Sequence, residues 1–299
     1  MEESTNKTLT QPLNDRAKLV IVPTKGAISK TLSTLIIKSC QKALQSSSSS
    51  SSSIFTIALS GGSLPSFLKE LSTAFDEANI DPQWEKWHVF LADERCVPSS
   101  HEDSNLGSIR KHFTSGVGIP PCQIYGIDES LLSGSSEDIA ESYQENVVNK
   151  LLEQKKTHGG DGRIDCVLLG FGPDGHTCSL FPNHQLLKEQ SLFVASIDDS
   201  PKPPPSRITL TLPFLNEYCR QIIFCGAGES KRPIIQAVFP NIIGNDGVII
   251  EENSTLGAKV ASMKLCDPAP YPCGMVRPKH DVDEDDSLIW LVDEAAAME

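Results

Sequence analysis

Residues 165–172 read "DCVLLGFG" and run directly into "PDGHTCSLFP" at 173–182. A short apolar run that ends in glycine is the pattern of a buried strand entering a turn. The pattern recurs at "LVIV" (19–22), "FTIALS" (55–60), "HVFLADE" (88–94), "LFVASI" (192–197), "ITLTL" (208–212), "IIFCGAG" (222–228) and "LIWLV" (288–292). Helical patterns near 27–45, 64–77, 104–114, 136–154 and 230–239 separate many of these runs. The alternation predicts an α/β, Rossmann-like fold, a mostly parallel sheet with helices on both faces, built as one domain over 1–299.

Composition narrows the function. Of 299 residues, 39% are hydrophobic and 22% charged, as in a globular protein with a full core. The formal charge of −13 argues against a nucleic-acid or acidic-membrane partner, since no basic run is set apart from the acid. Nine cysteines are scattered without a C-x-x-C pair, so neither a zinc knuckle nor a disulfide framework is expected. The start "MEESTNKTLT" has no apolar core, and no segment reaches the ~20 apolar residues of a membrane span. A cytoplasmic, monomeric protein is the expectation. Ser46–Ser53, an unbroken serine run, reads as a flexible surface insertion, and "HDVDEDDS" near the C-terminus as a solvated loop.

In parallel sheets ligands sit beyond the carboxyl ends of the strands, so the loops there are the place to search. After "FTIALS" come Gly61, Gly62 and Ser63, with Pro65 in the next helical turn; this is either an ordinary strand-to-helix turn or a phosphate cradle. It is not G-x-S-x-G, and no G-x-x-x-x-G-K-[ST] occurs anywhere. After "HVFLA" come Asp93, Glu94 and Arg95, charges that a buried strand end tolerates only when paired or liganded. Asp103, Ser104 and Asn105 come next as candidate caps of the next helix.

The opening stretch adds Asp174 and His176 in a glycine-rich turn. Its G-x-G-x-x-G spacing lacks an acidic ribose partner at the end of the next strand, so a dinucleotide site is a weak reading. A histidine there titrates near neutrality and can act as a general base, with the aspartate orienting it, or it can simply cap the turn. Lys231 and Arg232 open a helix after "IIFCGAG", and Arg207 comes directly after the proline-rich "DDSPKPPPS". Together these residues describe a small anionic substrate on an otherwise acidic protein.

The segments "ALSGGSLPSFL", "LADERCVPSSHEDSNLG", "LLGFGPDGHTCSLFP", "SRITLTLPFLN" and "GAGESKRPI" resemble, in order and setting, those of the 6-phosphogluconolactonases, over roughly residues 20 to 295. The resemblance implies hydrolysis of 6-phospho-D-glucono-1,5-lactone to 6-phosphogluconate, the second step of the oxidative pentose phosphate pathway, with no metal or other cofactor. It implies His176 as base with Asp174 orienting it or the water. It further implies phosphate held by Gly61, Gly62, Ser63, Arg95, Lys231 and Arg207, with Asp93 and Asn105 on sugar hydroxyls or bracing turns. Related glucosamine-6-phosphate deaminases carry an Asn-Glu pair where this chain has Ser179, Leu180, Phe181 and Pro182. A deaminase-like enzyme, with Glu94 as its acid/base, and a non-catalytic sugar-phosphate sensor are the alternatives. Cys178 stands where alanine is usual, Leu106 where an aromatic is frequent, and the serine run has no family counterpart.

Overall fold

The structure, a computed structural model, describes residues 15–45, 53–240, 242, 251–279 and 286–298. Its strands are β1 (Arg16–Val22), β2 (Phe55–Leu59), β3 (Trp87–Leu91), β4 (Asp93–Arg95), β5 (Cys166–Gly170), β6 (Val194–Ile197), β7 (Arg207–Leu210), β8 (Ile222–Gly226), β9 (Glu251–Asn253), β10 (Ala258–Lys264) and β11 (Leu288–Asp293). The α-helices are α1 (Ala27–Gln45), α2 (Leu71–Glu77), α3 (Asn105–His112), α4 (Ser136–Tyr143), α5 (Asn149–Thr157), α6 (Leu212–Glu217), α7 (Arg232–Val238) and α8 (Glu294–Ala297).

Eight strands form the main sheet in the order β3-β2-β5-β8-β11-β1-β10-β9. The six from β3 to β1 run parallel, and β10 and β9 join antiparallel at the far edge. β2, β3, β5, β8 and β11 are almost wholly buried, which explains their continuous apolar sequence. Trp290 of β11 stacks on Phe224 of β8 with ring centroids 4.3 Å apart, and both are fully buried. Each such side chain contributes roughly 1.5–3 kcal/mol of burial. α1 buries Ile28, Leu32, Ile36 and Cys40, one side of the helix at four-residue spacing, against the sheet.

Register brings the carboxyl ends of the central strands together. Leu59 lies opposite Leu91 of β3 and Leu168 of β5, and Gly170 opposite Cys225 of β8, so these strands finish at nearly one level. The chain leaves β2 towards β3 on one side, whereas β5 is succeeded in the sheet by β8 on the other. The gap between β2 and β5 is therefore the switch point at which such sheets take ligands.

Two expectations need correction. "LFVASI" and "ITLTL" do not enter the main sheet: with Asp93–Arg95 they form a separate three-stranded antiparallel sheet, β4-β7-β6. "HVFLADE" is accordingly two strands, broken at Ala92, whose N–H donates to Leu59 and whose C=O accepts from Leu210. The single residue hands the chain from one sheet to the other. Of the serine run, 46–52 lie outside the described residues, and its last member, Ser53, is buried at 4% exposure rather than on the surface. Most of the acidic loop, 280–285, and the N-terminal 1–14 also lie outside the described residues.

Candidate active site

A cavity of about 270 Å³ opens at the carboxyl ends of β2, β5 and β8. Gly61, Gly62, Ser63, Asp93, Arg95, Asn105, His176, Arg207 and Lys231 all line it, so every residue the resemblance assigns to the site meets here except Asp174. Arg232, the other cation considered at the start of its helix, does not line it, and its guanidinium donates instead to Ala295 C=O (2.9 Å). A larger cavity of about 740 Å³ lies at the opposite, amino end of the strands, beside Lys18, Ser53, Asp165 and Gln221. None of the strand-end motifs reaches it. Its wall contains the buried Lys155–Asp165 ion pair (2.7 Å), which ties α5 to the start of β5.

The turn after β2 is shaped by close approach. A Cβ on Gly61 would stand 1.7 Å from Asn105 Oδ1, so only glycine lets the first residue of α3 pack there. Gly62 has φ +68° and open space around it. Beyond Ser63 the chain enters a 3-10 turn, Leu64–Leu68, rather than an α-helix, with Pro65 at its start, and α2 begins only at Leu71.

Glu94 is 1% exposed, and its carboxylate accepts from the N–H groups of Arg95 (2.8 Å), Asn105 (2.7 Å) and Leu106 (2.9 Å) and from Ser104 Oγ (3.0 Å). It caps α3, whose first N–H groups have no partner within the helix. Burial pushes its carboxyl above the usual range, against the pull of these hydrogen bonds. The acid/base role considered for Glu94 in a deaminase is therefore corrected: it is a structural cap and is absent from the cavity lining. Asp93 accepts from Ser179 Oγ (3.0 Å), and its C=O accepts from Asn105 Nδ2 (2.8 Å). These bonds brace the two turns against each other.

The loop after β5 folds on itself. Gly172 N–H donates to His176 C=O (2.8 Å), Gly175 N–H to Gly172 C=O (3.0 Å), and Gly175 has φ +79°. A Cβ on Gly172 would lie 2.1 Å from His176 Nδ1, so the missing side chain is what lets the imidazole lie over the turn. Nδ1 is 2.5 Å from Asp174 Oδ1, and the ring leans on Phe181 with centroids 5.0 Å apart. Burial holds the imidazole below its ordinary value, opposed by Asp174 and reinforced by Lys202. Asp174 is lowered to about 2: its own partial burial would raise it, and the hydrogen bond and charge of His176 outweigh that. With Nδ1 turned to the carboxylate, Nε2 is the nitrogen left for chemistry. Cys178 and Cys225 also line the cavity, but burial raises both thiols far above neutrality, which removes them as nucleophiles.

Cations supply the rest. Arg207 is 3% exposed; its Nε donates to Pro204 C=O (2.9 Å) and Nη2 to Lys202 C=O (2.8 Å) and Pro203 C=O (3.0 Å). Arg95 Nη1 donates to Asp103 C=O, while its buried Nε has no hydrogen-bond partner among the described residues. Lys231 donates to Phe171 C=O, and burial with the charge of Lys202 lowers its ammonium. Two residues escaped the sequence reading. Lys25 lines the cavity from the turn after β1, a strand end that the same search rule covers. Lys202 reaches His176 and Asp174 from the proline-rich loop, where nothing in the sequence marked it.

Fold and site together define a doubly wound α/β protein with a histidine–carboxylate pair beside a cavity lined by lysine and arginine. Residues 23–247 match the family described as glucosamine-6-phosphate isomerases/6-phosphogluconolactonase. Human 6-phosphogluconolactonase is 38% identical over 244 residues, 81% of this chain and 80% of that protein. The chloroplastic 6-phosphogluconolactonase 3 of Arabidopsis thaliana is 35% identical over 81% of this chain, and the match spans 64% of that protein, just under two thirds of its length. Solved 6-phosphogluconolactonase structures share the fold. That from Trypanosoma cruzi has a TM-score of 0.68 at 21% identity, covering 95% of this chain and 97% of that one. That from Thermotoga maritima has 0.63 at 23%, covering 92% and 99%. The chain belongs to the glucosamine-6-phosphate isomerase/6-phosphogluconolactonase family, on the lactonase side of it.

Proposed function

We propose that this chain is a hydrolase that opens 6-phospho-D-glucono-1,5-lactone to 6-phosphogluconate, and so serves the oxidative pentose phosphate pathway. The observation that carries the reading is the His176–Asp174 pair, with Nδ1 and carboxylate 2.5 Å apart, set where four cations, Lys25, Arg95, Arg207 and Lys231, line one cavity. Arg95, Arg207 and Lys231, with the turn Gly61–Ser63, hold the phosphate. Anchoring that non-reacting group orients the lactone carbonyl, an effect that can reach several kcal/mol.

His176 Nε2 takes a proton from water as the oxygen bonds to the lactone carbon. Asp174 favours the imidazolium that forms, and N–H groups or a cation facing the carbonyl oxygen meet its negative charge. As the intermediate collapses, the bond to the ring oxygen breaks and the imidazolium returns its proton to that oxygen. The product carboxylic acid then ionises to solvent.

The deaminase alternative loses its candidate carboxylate, because Glu94 is occupied in capping α3. Incubation with fresh lactone, corrected for spontaneous opening, tests the reading. Acceleration is expected, with negligible ammonia from glucosamine 6-phosphate; ammonia release without lactone opening would overturn it. We further propose a cytoplasmic monomer. Leu192 is the one large hydrophobic residue strongly exposed among the described residues, and no described helix is long and apolar enough to cross a membrane. The relative from Arabidopsis thaliana is named chloroplastic.

A further inference from the structure

Lys202 is placed by the anion site itself. Its C=O accepts from Arg207 Nη2, the next two carbonyls also accept from Arg207, and its N–H donates to Ser200 Oγ (3.2 Å). The guanidinium that lines the cavity therefore fixes the loop carrying Lys202. The lysine side chain does not line the cavity; it lies beyond the ring, its ammonium 3.0 Å from His176 Nδ1 and 3.3 Å from Asp174 Oδ2.

An ammonium only donates, so it cannot share Nδ1 with a proton. When Nδ1–H points to Asp174, Lys202 must bond the carboxylate and press its charge against the ring edge. The charged groups acting on the imidazole are then Asp174 and Asp93, which favour its protonation, and Lys202, which opposes it; Lys231 in turn faces Lys202. A carboxylate 2.5 Å away would by itself make the imidazolium a weak acid, slow to give its proton back.

We propose that Lys202 is a positioning residue for the hydrolysis: bonded to Asp174 beside the Nδ1 edge of His176, it keeps the ring a neutral base at rest and makes the imidazolium acidic enough to protonate the departing ring oxygen. The proposal rests on His176 being the base of the lactonase reaction. It assigns Lys202 no contact with phosphate.

The test uses the full chain with Lys202→Met, which keeps much of the stem and removes the charge, and Lys202→Arg, which restores it. In the resting protein, the ¹⁵N imidazole titration of His176 should move up by about one pH unit in K202M and return in K202R. In turnover, the acid limb of kcat should move up with it, and plateau kcat should fall about tenfold with KM nearly unchanged. An unmoved His176 titration in K202M overturns the proposal. So does a rise in KM with kcat and titration unchanged, which would make Lys202 an anion contact. Because the titration needs no turnover, its failure is distinct from absence of lactonase activity, which would instead strike the functional reading.

Discussion

His176 and Asp174 are two residues apart in the chain, yet their pairing depends on Gly172, whose absent side chain leaves room for the imidazole. His176→Gln keeps a polar side chain but cannot take the proton. Turnover should fall by about 10²–10⁴-fold, with binding of 6-phosphogluconate retained because the cations come from other loops. Wild-type kcat/KM should decline as pH falls through a histidine value held below 6.5 by burial, since the protonated ring is no base. Near-normal turnover in His176→Gln, with that decline intact, would move the base elsewhere. Arg95→Ala and Lys231→Ala test the proposed phosphate contacts: activity on the phosphorylated lactone should fall about 10- to 100-fold, and on unphosphorylated gluconolactone much less. Equal losses on both would make Arg95 a structural residue. This much of the site was legible because strand ends are marked by glycine and charge. Lys202 was not, since its role arises from contact with residues 26 and 28 positions away in sequence, and proline-rich loops carry no periodicity to read.

Elements were legible where apolar runs are continuous and misread where one sequence serves two sheets. α1 spans the expected 27–45, whereas the helical pattern at 136–154 divides into α4, a π turn (Gln144–Val148) and α5. Gln144 Oε1 accepts from Phe193 and Val194 N–H there, so a contact with the start of β6 accompanies the break in the helix. β10 escaped notice because "AKVASMK" is half exposed and interleaved with lysine, as suits a strand near a sheet edge. Glu94 illustrates the same limit: "DER" announces charge at a strand end, but only the fold shows one carboxylate facing the cavity and the next turned onto α3. Glu94→Ala should lower stability by about 2 kcal/mol, the upper range for loss of a cap, measured by urea unfolding. A loss of lactonase activity without loss of stability would return Glu94 to the chemistry.

At the scale of the whole molecule, stability against pH sets acid self-repulsion against buried histidine. A formal charge of −13 shrinks as pH falls towards the pI near 5.0, which relieves repulsion in the folded state. His88 acts in the opposite sense. It lies within β3 at 9% exposure, with Nδ1 2.8 Å from Tyr125 Oη, and burial, then the charges of His158 and Lys155, lower it to about 4 from 6.5. Its folded value is depressed, so between pH 6.5 and 4 the unfolded chain binds the extra proton. The stability it contributes is fully present above pH 6.5 and is lost as pH falls towards 4, by up to about 1.4 kcal/mol per pH unit. His88→Asn offers an acceptor near the Nδ1 position without the titration. The urea midpoint should therefore fall less between about pH 6.5 and 4.5 in His88→Asn than in wild type, while the acid limb of kcat/KM, which the proposed mechanism assigns to His176, stays where it is. Parallel stability curves for the two proteins would show that His88 ionises alike in the folded and unfolded chains.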